Sequence, residues 1–263
     1  MDDRLRQLQL AELEILDEFI RICNMHSLQY YLVGGSLLGA VRHQGFIPWD
    51  DDIDVAMPWK DYLELLSLQH DFAPDYRLDS EELDADCPFN YCKLYHRAVV
   101  FDPLPEYGPS EIYIDIYPIL PSRFPGMAAR LCMNLICVIG YALQVKCGWD
   151  EYVPYKKRAA VYAYSFFQRL PVESLRRLRR KLTRWLTSEG TGYCFSPGGK
   201  YGEKEIYPAL WYTNLKMAVF EGRICPVLEE WDAYLRRLFG DYEILPEKTE
   251  RTPKHGACLK AAE

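Results

Sequence analysis

Four carboxylates crowd into five residues at Asp50-Asp51-Asp52-Ile53-Asp54, shortly after the turn Gly34-Gly35-Ser36. Like charges this close repel, and burying one without a partner is costly. A chain that keeps such a cluster between apolar segments needs a cation there. Tyr30 to Val33 reads as a short apolar strand that turns through Gly34 and Gly35 into a helix, with Ser36 as N-cap ahead of Leu37-Leu38-Gly39-Ala40-Val41. Backbone N–H groups at such a helix start suit a phosphate. After a turn at Gly45 and Pro48, a second strand is expected over Ile53 to Met57. Strand alternation extended back through the acidic run sets Asp50, Asp52 and Asp54 on one face and Asp51 and Ile53 on the other. Hard oxygen ligands select Mg2+ or Mn2+, with carboxylates and substrate phosphate sharing the metal. A calcium loop of the EF-hand type would need a glycine at its sixth position and a late glutamate, and that pattern is absent.

The chain of 263 residues is 49% hydrophobic and 26% charged, ordinary values for a globular protein with a sizeable core. Its net charge of −7 argues against nucleic acid as partner. The charge is uneven, because Tyr155 to Arg184 carries +9 and the remainder −16. Nine cysteines show no C-x-x-C pair and no zinc spacing, which predicts reduced, buried thiols. The start, MDDRLRQLQL, lacks the basic and apolar regions of a signal peptide, so the expectation is a cytoplasmic protein.

Residues 3 to 26 form an amphipathic pattern with Leu5, Leu8, Ile15, Leu16, Phe19, Ile20 and Cys23 on one stripe, and packing is the task expected of it. Pro58 opens a second helix. Strands are expected at YRLDS, NYCKLYHRAVVFD and EIYIDIYPI. In the last, Ile112, Ile114 and Ile116 share one face while Tyr113, Asp115 and Tyr117 share the other, so Asp115 demands a partner and a metal shared with Asp52 and Asp54 would supply it. Lys93 and Arg97 lie on one face of the preceding strand, where cations hold substrate phosphates. Arg42 either pairs with the aspartates or contacts phosphate.

Residues 126 to 147 are apolar but interrupted by Arg130, Asn134 and Gln144, which favours a core helix over a membrane span. Helices over 155–170 and 172–187 interleave basic residues with Tyr162, Phe166, Phe167 and Trp185, a pattern that suits anionic lipid, a polyanionic glycan or a solvated face. GYCFSPGGKYG reads as a Gly-rich loop, Phe220 to Ile224 as a turn or short hairpin, and Pro226 as the opening of a helix that Gly240 closes.

The string GGSLLGAVRHQGFIPWDDDIDVAMP resembles the LicD family of phosphocholine transferases, which includes the fukutin-related proteins, within the nucleotidyltransferase superfamily. The segment from Pro226 through WDAYL and GDY to His255 is similar to that family's C-terminal segment, with Phe239 where a tyrosine is usual. The resemblance implies an α+β fold, a nucleotidyltransferase-like mixed sheet flanked by helices with a helical C-terminal extension. The chain reads as a nucleotidyltransferase-like catalytic core over 1–122 and a mostly helical region over 123–263 packing on it, either as two parts or as one continuous domain. The resemblance implies Asp52, Asp54 and Asp115 as catalytic and metal-holding residues with Asp50 beside them, and Gly34, Gly35, Ser36, Arg42, Lys93 and Trp49 as donor-binding residues.

The implied reaction is Mg2+- or Mn2+-dependent transfer of phosphocholine from CDP-choline to a sugar hydroxyl of a lipopolysaccharide, capsule or teichoic acid precursor, releasing CMP. A quaternary ammonium is held by aromatic faces, here Trp49, Tyr113 and Tyr117. Nucleotidyl transfer, transfer of phosphoethanolamine or a polyol phosphate, and a glycan- or membrane-binding protein are the alternatives. A place on the inner face of the membrane, held peripherally through 155–187, fits the acceptor.

Overall fold

The computed structural model describes residues 3–101, 110–148 and 158–252. The chain forms two compact units that interleave in sequence: Met1–Asp79, Lys93–Ile116 and Asn214–Glu263 make the first, Ser80–Cys92 and Tyr117–Thr213 the second. The fold is α+β, a mixed sheet flanked by helices, as the sequence predicts.

The first unit opens with α1 (Asp3–His26), β1 (Tyr31–Leu32), α2 (Gly34–His43), β2 (Asp54–Pro58), α3 (Trp59–Ser67) and β3 (Tyr76–Asp79), followed by β4 (Cys92–Phe101) and β5 (Ser110–Ser122). The strand order is β1-β2-β5-β4-β3. Antiparallel pairing sets Leu32 opposite Val55 and Asp79 opposite Lys93. The apolar stripe of α1 is buried as expected, with Ile22 rather than Ile20 completing it. Two polar residues, Gln9 and Glu12, are buried with that stripe.

The sequence reading differs from the structure in two places here. Residues 50–53 are irregular rather than extended, because the Asp50 N–H closes a turn onto the Ile47 carbonyl at 2.8 Å. Strand alternation therefore does not govern the aspartates before Asp54. The helix expected to follow Ser36 as N-cap begins at Gly34 with Val33 as N-cap, three residues earlier, which puts Ser36 inside the first turn.

The second unit contains α4 (Met127–Lys146), α5 (Arg158–Phe167) and α6 (Val172–Leu186), which share a core of Val138, Ile139, Ala142, Leu143, Phe167 and Leu175. Leu120–Ser122 of β5 pairs with β6 (Tyr193–Phe195), and β6 with β7 (Ile206–Pro208), so the segment expected as a loop contains a strand. Two arginines of the basic cluster face inward. Arg179, fully buried, donates to the Pro88 carbonyl at 2.6 Å and pairs with Glu81 at 2.9 Å. Arg176 pairs with Asp86 at 2.8 Å. They fasten the segment after β3 to α6 instead of facing a partner.

The chain returns to the first unit through the hairpin β8 (Leu215–Phe220) and β9 (Arg223–Leu228), then α7 (Trp231–Phe239). Pro226 lies within β9 and the helix opens at Trp231, five residues later than expected. A two-stranded sheet tolerates the proline because each strand has an unpaired edge. Among the described residues the eight cysteines are free thiols, seven of them buried. Cys258 and His255 lie outside the described residues.

Truncating the buried Arg179 leaves the Pro88 carbonyl and the half-buried Glu81 carboxylate without their donor, so Arg179→Ala should cost roughly 3 kcal/mol in urea unfolding. Arg177→Ala, which removes an exposed pair with Glu173 one turn away, should change stability by less than about 0.5 kcal/mol.

Candidate active site

The site of the first unit is built where β1 turns into α2. Gly34 adopts φ +55°, a conformation that favours glycine, and its N–H donates to the Tyr234 hydroxyl of α7 at 3.2 Å. A Cβ on Gly34 would stand 2.6 Å from Asp54 Oδ2, and one on Gly35 would stand 2.6 Å from Asp50 Oδ2. The two glycines are thus the surface on which two carboxylates rest. Ser36, buried, accepts the Asp54 N–H on Oγ at 2.8 Å, which ties the first turn of α2 to the start of β2. The glycine turn and the aspartates are one structure.

Asp50, Asp51 and Asp52 bring carboxylate oxygens within 4.8 Å of one another. Asp50 and Asp51 are buried and Asp52 is half-buried. Three hard oxygen donors at that separation fit a Mg2+ or Mn2+ ion. Asp51, which strand alternation places away from its neighbours, is a member of the group.

Asp115 lies beside this run, its N–H donating to the Ile53 carbonyl at 2.9 Å. Its partner is Lys93 on the adjacent β4, with Nζ 2.6 Å from Oδ1 and both side chains buried. The same ammonium sits 3.5 Å from the Tyr113 ring centroid. Arg97, on the same strand, is exposed. Tyr117 belongs to the second unit, where it packs on Tyr91 with ring centroids 4.7 Å apart.

Arg42 donates from Nη1 to the Tyr242 carbonyl at 2.8 Å and from Nε to His43 at 2.9 Å. Burial first and the Arg251 charge second lower its pKa, while Asp50 opposes them. Arg251 lies over the Trp49 ring at 5.3 Å, so that aromatic face already holds a cation. The C-terminal segment is locked internally, with the Tyr242 hydroxyl donating to Asp232 at 2.6 Å and Arg236 bridging Asp232 and Glu243.

One group at the site is absent from the sequence reading. Glu12 of α1 is 2% exposed, and its pKa is pushed well above the carboxylate range, by burial first and then by Asp52, Asp51, Asp50 and Asp115. Gln9, one turn before it, donates from Nε2 to the Asp50 carbonyl at 2.9 Å. The signal was present: both polar residues stand on the apolar stripe of an otherwise amphipathic helix.

A nucleotidyltransferase-type core with a carboxylate site is the class these features define. The sequence profile of the LicD/FKTN/FKRP nucleotidyltransferase domain matches residues 27–123. The chain is 26% identical to the lipopolysaccharide cholinephosphotransferase LicD of Haemophilus influenzae over 268 residues, covering 95% of this chain and 96% of that protein. Uncharacterized proteins of Rickettsia prowazekii and Rickettsia typhi are each 29% identical over 84 and 79 residues, about a third of this chain. The chain is thus similar to LicD, a cholinephosphotransferase, along 95% of its length, and residues 27–123 carry the match to the LicD/FKTN/FKRP nucleotidyltransferase domain.

The packing makes the glycines testable. Gly34→Ala should lose roughly 1 to 3 kcal/mol from its left-handed backbone alone. Gly35→Ala should fold, because its backbone is ordinary helix, yet the added methyl must displace the Asp50 carboxylate. Thermal melts with and without Mn2+ should therefore show cation stabilisation in the wild type and its loss in Gly35→Ala.

Proposed function

We propose that this protein transfers phosphocholine from CDP-choline to a sugar hydroxyl of a lipopolysaccharide or related surface-glycan precursor, with Mg2+ or Mn2+ held by the aspartates. The observation that carries the reading is the seating of Asp50 and Asp54 on Gly35 and Gly34, which joins a phosphate-binding turn to a carboxylate cluster. The name of the Haemophilus influenzae relative supplies the transferred group and the acceptor class.

In this reading Asp52 and Asp54, with Asp50 and Asp51 beside them, hold the cation. A bound divalent ion neutralises phosphate oxygens and the charge that develops as the phosphoryl group moves. Gly35 N–H, at the start of α2, meets the diphosphate. The acceptor oxygen bonds to the phosphorus of phosphocholine while the bond to CMP breaks in line, and Asp115, oriented by Lys93, takes the hydroxyl proton. Trp49 offers the quaternary ammonium an aromatic face, in place of Arg251.

The second unit supplies a surface for a lipid-borne acceptor. Phe124 at 68%, Met127 at 88%, Leu131 at 59% and Trp185 at 44% are exposed, and the Arg123 guanidinium lies 5.1 Å over the Trp185 ring. Arg130, Lys181 and Arg184 are exposed on the same helices. Apolar side chains rimmed by cations suit an anionic membrane face, which supports a peripheral position on the inner leaflet.

Calorimetric titration of CDP-choline should detect binding that requires Mg2+ or Mn2+ and is lost in Asp52→Asn/Asp54→Asn. Turnover should release CMP; pyrophosphate from CTP would instead indicate nucleotidyl transfer, and binding of other CDP-linked donors alone would reassign the transferred group. Trp49→Ala should raise KM for CDP-choline with a smaller effect on kcat, and an unchanged KM would remove Trp49 from the choline site. Vesicles containing phosphatidylglycerol should sediment the wild type and release a Met127→Ser/Leu131→Ser/Trp185→Ser variant; equal sedimentation of both would sink the membrane surface.

A further inference from the structure

The reading of α1 as a packing helix leaves one of its residues without an explanation. Glu12 is 2% exposed, and its Oε2 is buried with no hydrogen-bond partner. The helix turn that carries it is held against the acidic run by the Gln9 amide on the Asp50 carbonyl. The charges it meets there are Asp50, Asp51, Asp52 and Asp115, all of its own sign. Burial without a donor costs stability, and four neighbouring carboxylates add to that cost.

A carboxylate buried for structural reasons looks different in this same protein. Glu205, 5% exposed, receives the Tyr201 N–H on Oε1 at 3.3 Å and the Tyr207 hydroxyl on Oε2. Both of its oxygens have donors. Glu12 has an oxygen left over, and it stands beside Asp50, Asp51 and Asp52.

We propose that Glu12 is a ligand of the cation site, giving a carboxylate oxygen from α1 to the divalent ion gathered by Asp50, Asp51 and Asp52. The site is then walled by a helix as well as by the acidic run. The carboxyl that strains the cation-free protein becomes a stabilising contact when the ion enters. This rests on the metal-dependent part of the function proposed above and on none of its substrate assignments.

The test uses Mn2+ alone, with binding followed by calorimetry and by the paramagnetic resonance signal of unbound Mn2+, alongside thermal melts of the full chain. Glu12→Gln keeps the shape and removes the charge. It should melt higher than wild type without cation, bind Mn2+ about tenfold or more weakly, and gain less from Mn2+ on melting. Wild-type affinity in Glu12→Gln would overturn the proposal and leave Glu12 a packed acid, with the cation site itself intact. No Mn2+ binding by wild type would overturn both this ligand and the metal reading on which it rests. Should Glu12→Gln fail to fold, Glu12→Asp retains the charge on a shorter arm: weakened Mn2+ binding supports ligation, and unchanged binding overturns it.

Discussion

Two carboxylates lie against a glycine backbone, and the remainder of the site depends on that contact. Asp54 sits on Gly34 and Asp50 on Gly35, each where a methyl group would have to be. The Ser36 hydroxyl then accepts the Asp54 N–H, and the Val33 N–H donates to the Asp54 carbonyl at 3.2 Å. These contacts fix the start of α2 against the start of β2 within about one side-chain length. Any residue other than glycine at the turn would force the aspartates outward and separate the helix terminus from the acids. Tyr234 extends the same logic to the C-terminal segment, because its hydroxyl takes the Gly34 N–H.

The elements of the fold were largely legible, and the reason is periodicity. β3, β4 and β5 follow the alternating runs of Tyr, Ile and Leu, and α4 follows the apolar run from Met127. Failures came where a local hydrogen bond decided the backbone. Alternation assumes an extended chain, but the turn from Asp50 to Ile47 gathers Asp50, Asp51 and Asp52 instead of dividing them. Ser36 has the chemistry of an N-cap, yet its hydroxyl is used on a neighbouring strand, a tertiary bond that spacing does not reveal. Arg176 and Arg179 read as surface charge because a run of arginines gives no sign of which members turn inward toward Asp86 and Glu81.

Asp115 illustrates a partial success. Its place on a strand between tyrosines called for a partner, and the partner is Lys93. The pairing follows from β4 and β5 being neighbours, a matter of strand order that no local pattern carries. The consequence is chemical. A carboxylate gripped by a buried ammonium at 2.6 Å is held in one orientation, and the ammonium in turn is seated on Tyr113 at 3.5 Å. Orientation of this kind is what a group that receives a proton in a short-lived geometry needs.

The balance of charge across the site explains why such a fold is kept. Asp50, Asp51 and Asp115 are buried, Asp52 and Asp54 half-buried, and Glu12 approaches from α1. Lys93 is the cation that the structure pairs with this group, and Arg42 is directed to the Tyr242 carbonyl. Burying that much negative charge together opposes folding, so sequence drift toward stability alone would replace these acids with apolar residues of similar size. Their retention in one place, on a backbone shaped by glycines to admit them, argues that the stable state of this region is one with added positive charge. On the proposed reading the strain and the function are the same property: charge gathered at a cost that a divalent ion would offset.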